Sequence, residues 1–170
     1  VAHYMFSINK INEFNKSEFL SVFGNIFEKT EWIAKKAFEL KPFKNFEDFF
    51  SKFTEIYEIS DKEKILKILN AHPDLAVEKK LTKDSAREQL GANLNECSEE
   101  EFFEFSKLNK EYKDKFNFPF IIAVKDKNRS QILQIFKKRI HNSNEEEFEE
   151  AKNQVKKIAM FRLNQIIEIN

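Results

Sequence analysis

The sequence predicts an all-α protein, a single-domain bundle of about eight helices. Two glycines and three prolines in 170 residues leave few positions for the tight reversals that join neighbouring strands. Apolar residues instead recur three and four positions apart, the spacing of one helix face, along almost the whole chain. A chain of this length can bury a sizeable core in one domain. We therefore expect residues 1–170 to form one helical domain.

Capping residues ahead of apolar segments predict where five of the helices begin. A Ser, Thr, Asp or Asn in front of such a segment accepts a hydrogen bond from the first helical turn. A Glu three positions later completes a capping box. The predicted N-caps are Ser17, Thr30, Asn45, Ser60 (with Glu63) and Ser98 (with Glu101).

Three more helices are predicted from periodicity alone. One begins between Thr82 and Ser85 and runs through Leu90, one carries Ile132–Phe136, and the last runs from about Asn144 to Ile167. The acidic run 145–147 is predicted to be a solvated first turn of this last helix, where the helix dipole favours acids. Phe120–Val124 is a short continuous apolar segment after a proline, and is predicted to be a brief strand or a buried turn.

Charge, hydropathy and cysteine content exclude several classes of function. Twenty-nine basic and twenty-nine acidic residues cancel, so no nucleic-acid partner is expected. No apolar run reaches the roughly 18–20 residues that cross a bilayer, so no membrane partner is expected. A single cysteine, Cys97, excludes an internal disulfide and favours a reducing compartment, and the N-terminus lacks the pattern of a signal peptide. We expect a cytoplasmic protein.

His72 is the first candidate for chemistry, because Pro73 follows it directly. A residue before proline is pushed out of the helical region, so the preceding helix must end here and hold the imidazole at a stiff corner. Histidine is the side chain best suited to move protons near neutral pH. The alternative is a helix-end histidine that only interacts with the last carbonyl groups. His3, His72 and His141 lie too far apart for a metal-binding spacing, so no metal site is expected.

Three further segments carry candidate binding groups. Ser85, Glu88 and Gln89 lie within about one helical turn and offer a hydroxyl, a carboxylate and an amide, although Ser85 with Glu88 is also a capping-box spacing. The extended segment Phe120–Val124 has backbone N–H groups that need acceptors if they are buried; its alternative is plain core. Arg162 lies beside the apolar stripe of the last helix. There it either extends its charged end to solvent or pairs with an acid, or it instead binds an anion through its two-pronged donor geometry.

The order of these segments resembles the 2-oxo-4-hydroxy-4-carboxy-5-ureidoimidazoline (OHCU) decarboxylase family. The matching stretches are His-Pro-Asp-Leu-Ala at 72–76, Ser-x-x-Glu-Gln at 85–89, a segment ending in Phe-Pro-Phe-Ile-Ile-Ala-Val at 109–124, and Ile-Ala-x-x-Arg-Leu at 158–163. A fifth, upstream stretch at 23–32 is similar to the family's early Glu-x-Ser/Thr-x-Trp pattern. The sequence departs from the family at Val77, Asn93 and Asp126, where glycines are common.

The resemblance implies a function and a set of residues. It implies a helical homodimer without metal or organic cofactor that converts a small-molecule substrate, OHCU, to (S)-allantoin and carbon dioxide in urate degradation. His72, Glu88 and Arg162 would be catalytic. Substrate contacts would come from Pro73, Ser85, Ala86, Arg87, Glu88, Gln89 and the backbone of Phe120, Ile121, Ile122, Ala123 and Val124.

Three alternatives to this function stay open. One is a binding or interaction module on the same scaffold with weak or lost catalysis. Another is a decarboxylase of the same mechanism that acts on a related ureido or imidazole acid. The third is a purely structural helical bundle, in which His72 is a satisfied helix-end histidine.

Overall fold

A computed structural model describes residues 5–75, 88, 94 and 97–169. Within these residues the chain is helical, with no strand longer than an isolated parallel bridge between Phe6 and Ile167. The all-α prediction is therefore confirmed. The helices are α1 (Ile8–Glu13), α2 (Lys16–Phe23), α3 (Glu31–Phe38), α4 (Phe46–Glu58), α5 (Lys62–Asn70), α6 (Glu99–Phe116), α7 (Arg129–Arg139) and α8 (Asn144–Asn164).

The chain divides into two compact units. The first contains the residues up to Ile68 together with those from Lys156 onward, and the second contains Leu69–Val155. Helix α8 contributes residues to both. The expectation of one domain over 1–170 stays a prediction. No helix in the described ranges is long and apolar enough to cross a bilayer.

Aromatic side chains form the core of the first unit. Helices α2, α3 and α4 pack against one another there, and Phe19, Phe23, Phe49 and Phe53 are almost fully buried. The Phe23 and Phe49 ring centroids lie 4.9 Å apart in a tilted arrangement, within the range that favours aromatic pairs.

The second unit is built on α6 and α7. Tyr112 on α6 lies edge-on to Phe120 and to Phe136, and the Phe120 and Phe136 rings stack at 3.8 Å between centroids. This aromatic group fixes one end of the apolar segment Phe120–Val124 against both helices.

Two of the predicted helix starts are confirmed. The side chain of Asn45 accepts from the N–H of Asp48, and Ser98 with Glu101 forms the predicted reciprocal capping box. Thr30 occupies the N-cap position of α3 but makes no capping bond, because its hydroxyl donates to the Phe27 carbonyl at 3.0 Å.

The prediction of Ser17 and Ser60 as caps was wrong, and competing capping groups explain both errors. Asn15 caps α2 in a full capping box with Glu18, which places Ser17 inside the first turn. Asp61 accepts from the N–H of Lys64 at 2.9 Å, and the Ser60 hydroxyl instead donates to the last turn of the preceding helix. The last helix also ends earlier than predicted, at Asn164.

The helix predicted from between Thr82 and Ser85 to Leu90 lies outside the described residues except at Glu88, whose backbone is helical. Phe120–Val124 is neither of the predicted forms: it is buried, irregular backbone without strand pairing or turn. Asn117 introduces it in the left-handed region, with φ of 63°, a conformation that Asn tolerates better than most residues.

Candidate active site

His72 lies at the corner that the sequence predicted. Helix α5 ends at Asn70, and the His72 backbone N–H donates to the Leu69 carbonyl at 3.2 Å. Pro73 then fixes the following backbone and is partly exposed. The histidine itself is buried, with 8% of its surface exposed. Most of the residue that carries the imidazole is therefore shielded from solvent.

The chain after His72 is tied to helix α6. The Leu75 carbonyl accepts from the Asn109 side-chain amide at 2.9 Å, and both carboxylate oxygens of Asp74 lie within 2.9 Å of the Lys113 ammonium. Asn109 and Lys113 could not be recognised from the sequence as partners of this segment, because 34 or more residues separate each pair.

The buried segment Phe120–Val124 offers backbone donors. Each of its five residues is at least 92% buried, and the Ala123 N–H donates to the Gln154 side chain at 2.9 Å. For the N–H groups of Phe120, Ile121, Ile122 and Val124, the described part of the chain provides no hydrogen-bond acceptor. Buried N–H groups require partners, so this segment can bind an oxygen atom of a ligand.

A buried polar cluster holds this segment in place. Arg139 donates to the Ile121 carbonyl at 2.6 Å and to the Glu147 carboxylate at 2.6 Å, and its guanidinium lies over the Phe120 ring. The Tyr112 hydroxyl donates to the same carboxylate at 2.6 Å. Burial, and after it the Glu147 carboxylate, raises the pKa of Tyr112 above its ordinary value.

The prediction of a solvated acidic turn was wrong at Glu147. The run 145–147 was expected to be a solvated helix turn, but Glu147 is fully buried. The helical period explains the error: Glu147 is four residues before Ala151 and eight before Val155, on the apolar stripe of α8. Gln154 and Arg162 lie on the same stripe. The sequence could have indicated this cluster, because these polar residues occupy positions of the helix face that is otherwise apolar.

Arg162 is buried in the first unit and paired with an acid. Its guanidinium donates to the Glu28 carboxylate at 3.0 Å and to the Ile26 carbonyl at 3.1 Å, and both charged side chains are at most 3% exposed. Of the alternatives that the sequence left open for Arg162, pairing with an acid is therefore the one observed. Glu28 belongs to the upstream stretch 23–32, but the pairing spans 134 positions, which no local pattern reveals.

The remaining predicted residues give less information. Glu88 is helical and half-buried, whereas Ser85, Ala86, Arg87 and Gln89 lie outside the described residues. Burial, followed by the nearby Glu101 carboxylate, raises the pKa of the Cys97 thiol, which disfavours a thiolate nucleophile there. Among the described residues, no group of three His, Cys, Asp or Glu side chains is arranged to hold a metal ion.

The fold has solved counterparts. A crystal structure of (S)-allantoin synthase superposes with a TM-score of 0.77 at 26% identity, over 95% of this chain and 54% of that one. The all-helical arrangement thus belongs to a known fold.

The sequence model of the OHCU decarboxylase family matches residues 12–164. The chain belongs to this family. A 2-oxo-4-hydroxy-4-carboxy-5-ureidoimidazoline decarboxylase of Haloferax volcanii is 34% identical over 92% of this chain and 94% of its own length. A uric acid degradation bifunctional protein of Bacillus sp. (strain TB-90) is 38% identical over 95% of this chain, which spans 32% of that protein. The chain therefore covers about a third of the length of this bifunctional relative.

Proposed function

We propose that this protein catalyses the cofactor-independent decarboxylation of 2-oxo-4-hydroxy-4-carboxy-5-ureidoimidazoline to (S)-allantoin in urate degradation. The observation that carries the proposal is the buried, fixed His72 of the His-Pro corner in a chain of the OHCU decarboxylase family. Similarity to the Haloferax volcanii enzyme over nearly its full length supports the same reaction.

The reaction requires little beyond orientation and proton transfer. The bond between the ring carbon and the carboxylate breaks, carbon dioxide leaves, and the electron pair stays on carbon. The ring carbonyl and C=N bonds of the substrate can delocalise that pair, so the chemistry itself does not call for an added electron acceptor. The protein must orient the substrate, donate hydrogen bonds toward the developing negative charge, and deliver one proton to one face.

His72 is the group proposed to handle the proton. Its backbone is fixed on both sides, by the bond to Leu69 and by Pro73, so the imidazole approaches the substrate from one direction. Face-selective protonation is what a single enantiomer of product demands. Glu88, also in the second unit, is proposed to bind the ring or ureido group, together with Ser85, Ala86, Arg87, Gln89 and Pro73.

The backbone of Phe120–Val124 is proposed to supply donors to substrate oxygen atoms. Four of its five N–H groups have no acceptor among the described residues, and burial strengthens a hydrogen bond to a charged oxygen because water is excluded. Arg162 is proposed to act on an anionic group, as its counterpart in the family pattern implies. Its pairing with Glu28 means that it brings a neutralised ion pair rather than an isolated charge.

A homodimer in the cytoplasm completes the proposal. The family resemblance supports the dimer, and the single cysteine suits a reducing compartment. Size-exclusion chromatography with light scattering tests the dimer: a mass of one chain at micromolar concentration would contradict it.

The experiment that tests the reaction follows substrate generated freshly from urate. We expect the protein to accelerate both the decay of substrate absorbance and the release of carbon dioxide. His72→Ala should slow both by at least about a hundredfold, as expected for loss of a proton-transfer group. His141→Ala, at an exposed histidine of the same unit, is the matched control and should be fully active. A folded wild-type protein that leaves the spontaneous rate unchanged would favour a binding module or a related ureido acid as substrate.

A further inference from the structure

Two side chains of helix α6 hold the backbone that follows His72. Asn109 donates to the Leu75 carbonyl at 2.9 Å, and Lys113 binds the Asp74 carboxylate at 2.8 Å. Residues four apart lie on the same face of a helix, so both contacts come from one face of α6. We call Asn109 and Lys113 the loop clamp.

The loop clamp completes a restraint that begins on the other side of His72. The His72 N–H is bonded to the Leu69 carbonyl, and Pro73 has a fixed φ angle. The backbone is therefore held before the histidine by the end of α5, directly after it by proline, and two and three residues later by α6. The first two restraints belong to the backbone itself, whereas the third depends on two side chains and can be removed by substitution.

Asn109 is an unfavourable residue at its buried helix position apart from its contact with Leu75. It is 5% exposed, its side-chain oxygen has no hydrogen-bond partner among the described residues, and Asn is a poorer helix former than Leu or Ala. An apolar residue of similar size would avoid the unpaired buried oxygen. Local rules broken in this way are found at functional sites. The hydrogen bond from the Asn109 amide to the Leu75 carbonyl is the favourable contact that offsets this cost.

We propose that Asn109 is a positioning residue for His72, and that Lys113 assists it through Asp74. The clamp sets the direction of the His72 imidazole and the contacts that define its proton affinity. The proposal rests on the proposed function for its effect on catalysis, whereas its effect on His72 itself can be measured without any substrate.

The first test is therefore nuclear magnetic resonance of the histidine ring protons. The chain has three histidines, and loss of one signal in His72→Ala assigns His72. In Asn109→Ala we expect the His72 signal to move and to titrate with a changed midpoint, while the exposed His141 signal stays where it is. An unchanged His72 signal and midpoint in folded Asn109→Ala would overturn the proposal, whether or not the protein decarboxylates the substrate.

The second test uses Asn109→Asp, which has the same shape. An ionised carboxylate cannot donate to the Leu75 carbonyl, but a protonated carboxyl can. Burial beside a carbonyl oxygen raises the pKa of the introduced group, so the bond returns as the pH falls through that pKa. We expect a loss of kcat of about tenfold to a hundredfold at high pH, with KM changed far less, because a small displacement of a catalytic group costs about that much. The ratio of variant to wild-type activity should recover toward acid pH.

Surface lysines of α6 provide a matched pair. Lys113→Met removes the contact with Asp74, whereas Lys110→Met removes a contact with Asp114 within the same helix. We expect Lys113→Met to lower kcat and to move the His72 signal, and Lys110→Met to change neither. If Asn109→Ala does not fold, Lys113→Met decides the question: equal kcat and equal His72 signals in the two lysine variants would overturn the clamp. If the variants show the expected shifts of the His72 signal but the wild-type protein does not turn over the substrate, only the proposed function is contradicted.

Discussion

Replacement of Glu147 by alanine should remove a large part of the folding free energy. The Glu147 carboxylate is fully buried and accepts from the Tyr112 hydroxyl, the Arg139 guanidinium and the Asn142 amide. Removing one member of a buried ion pair costs about 3–5 kcal/mol, because the other charge stays in the interior. The Tyr112 hydroxyl would also lose its acceptor, at about 1–3 kcal/mol.

The expected loss is therefore about 4 kcal/mol or more, against a typical total of about 5–15 kcal/mol for a domain. Urea unfolding followed by circular dichroism measures it. With an m-value of about 2 kcal/mol per molar, the midpoint should fall by about 2 M. Glu147→Gln should lose less, because it retains an oxygen that accepts from Tyr112.

The control is Glu149→Ala, two residues further along the same helix and exposed. It should change the free energy of unfolding by no more than about 0.5 kcal/mol. If Glu147→Ala unfolds at the same urea concentration as Glu149→Ala, the buried cluster does not stabilise the second unit and the reasoning is refuted.

Three further predictions concern other buried or strained positions. Tyr112 should stay protonated in the folded protein at about pH 11, beyond the ordinary tyrosine pKa of about 10, because burial raises its pKa; its neutral form therefore stabilises the fold until the pH rises through the raised value. Equal tyrosinate absorbance of wild type and Tyr112→Phe at that pH checks this, and a deficit of one tyrosinate in the variant would contradict it. Asp126 has φ of 62°, so Asp126→Val should lower the free energy of unfolding by about 1–2 kcal/mol while Asp126→Gly is nearly neutral; thermal unfolding that ranks valine with glycine would count against the strain. Glu28→Ala should lower stability by about 3–5 kcal/mol, because it removes the carboxylate beside the buried Arg162 charge, with Glu28→Gln intermediate; chemical denaturation would disprove the pairing if both variants matched wild type.

The sequence predicted those features that depend on neighbouring residues. The corner at His72 follows from the proline after it, and the caps at Asn45 and Ser98 follow from the side chain and the residue three positions on. The all-helical fold follows from the spacing of apolar residues. Where two polar residues lie close together, the sequence did not show which one caps the helix. Asn15 caps α2 in place of Ser17, and Asp61 accepts the capping bond of α5 in place of Ser60.

Contacts between distant parts of the chain were not predictable in this way. The sequence alone did not show which acid pairs with Arg162, because Glu28 lies 134 positions away. The sequence predicts Glu147 to be a surface acid, because its partner Arg139 lies on a different helix, α7. Asn109 gave no signal as the residue that holds Leu75, because its bond spans 34 positions.

The backbone conformation of the apolar segment Phe120–Val124 was not predictable for a different reason. Its composition predicted burial, which is observed, but composition did not distinguish a strand or a turn from irregular backbone. The outcome depends on partners for the backbone groups. Gln154 and Arg139 supply two of them, and the N–H groups that lack an acceptor among the described residues are the ones proposed to bind substrate.

The most direct measurement of the central claim is the circular dichroism of allantoin formed from fresh substrate. Spontaneous decay gives racemic product, so an optical signal arises only when one face of the intermediate is protonated. We predict a rapid signal of the (S) enantiomer with the wild-type protein and with His141→Ala, and none above the spontaneous background with His72→Ala. Racemic product from folded wild-type protein, or an undiminished (S) signal from His72→Ala, would contradict the claim that His72 directs this decarboxylation.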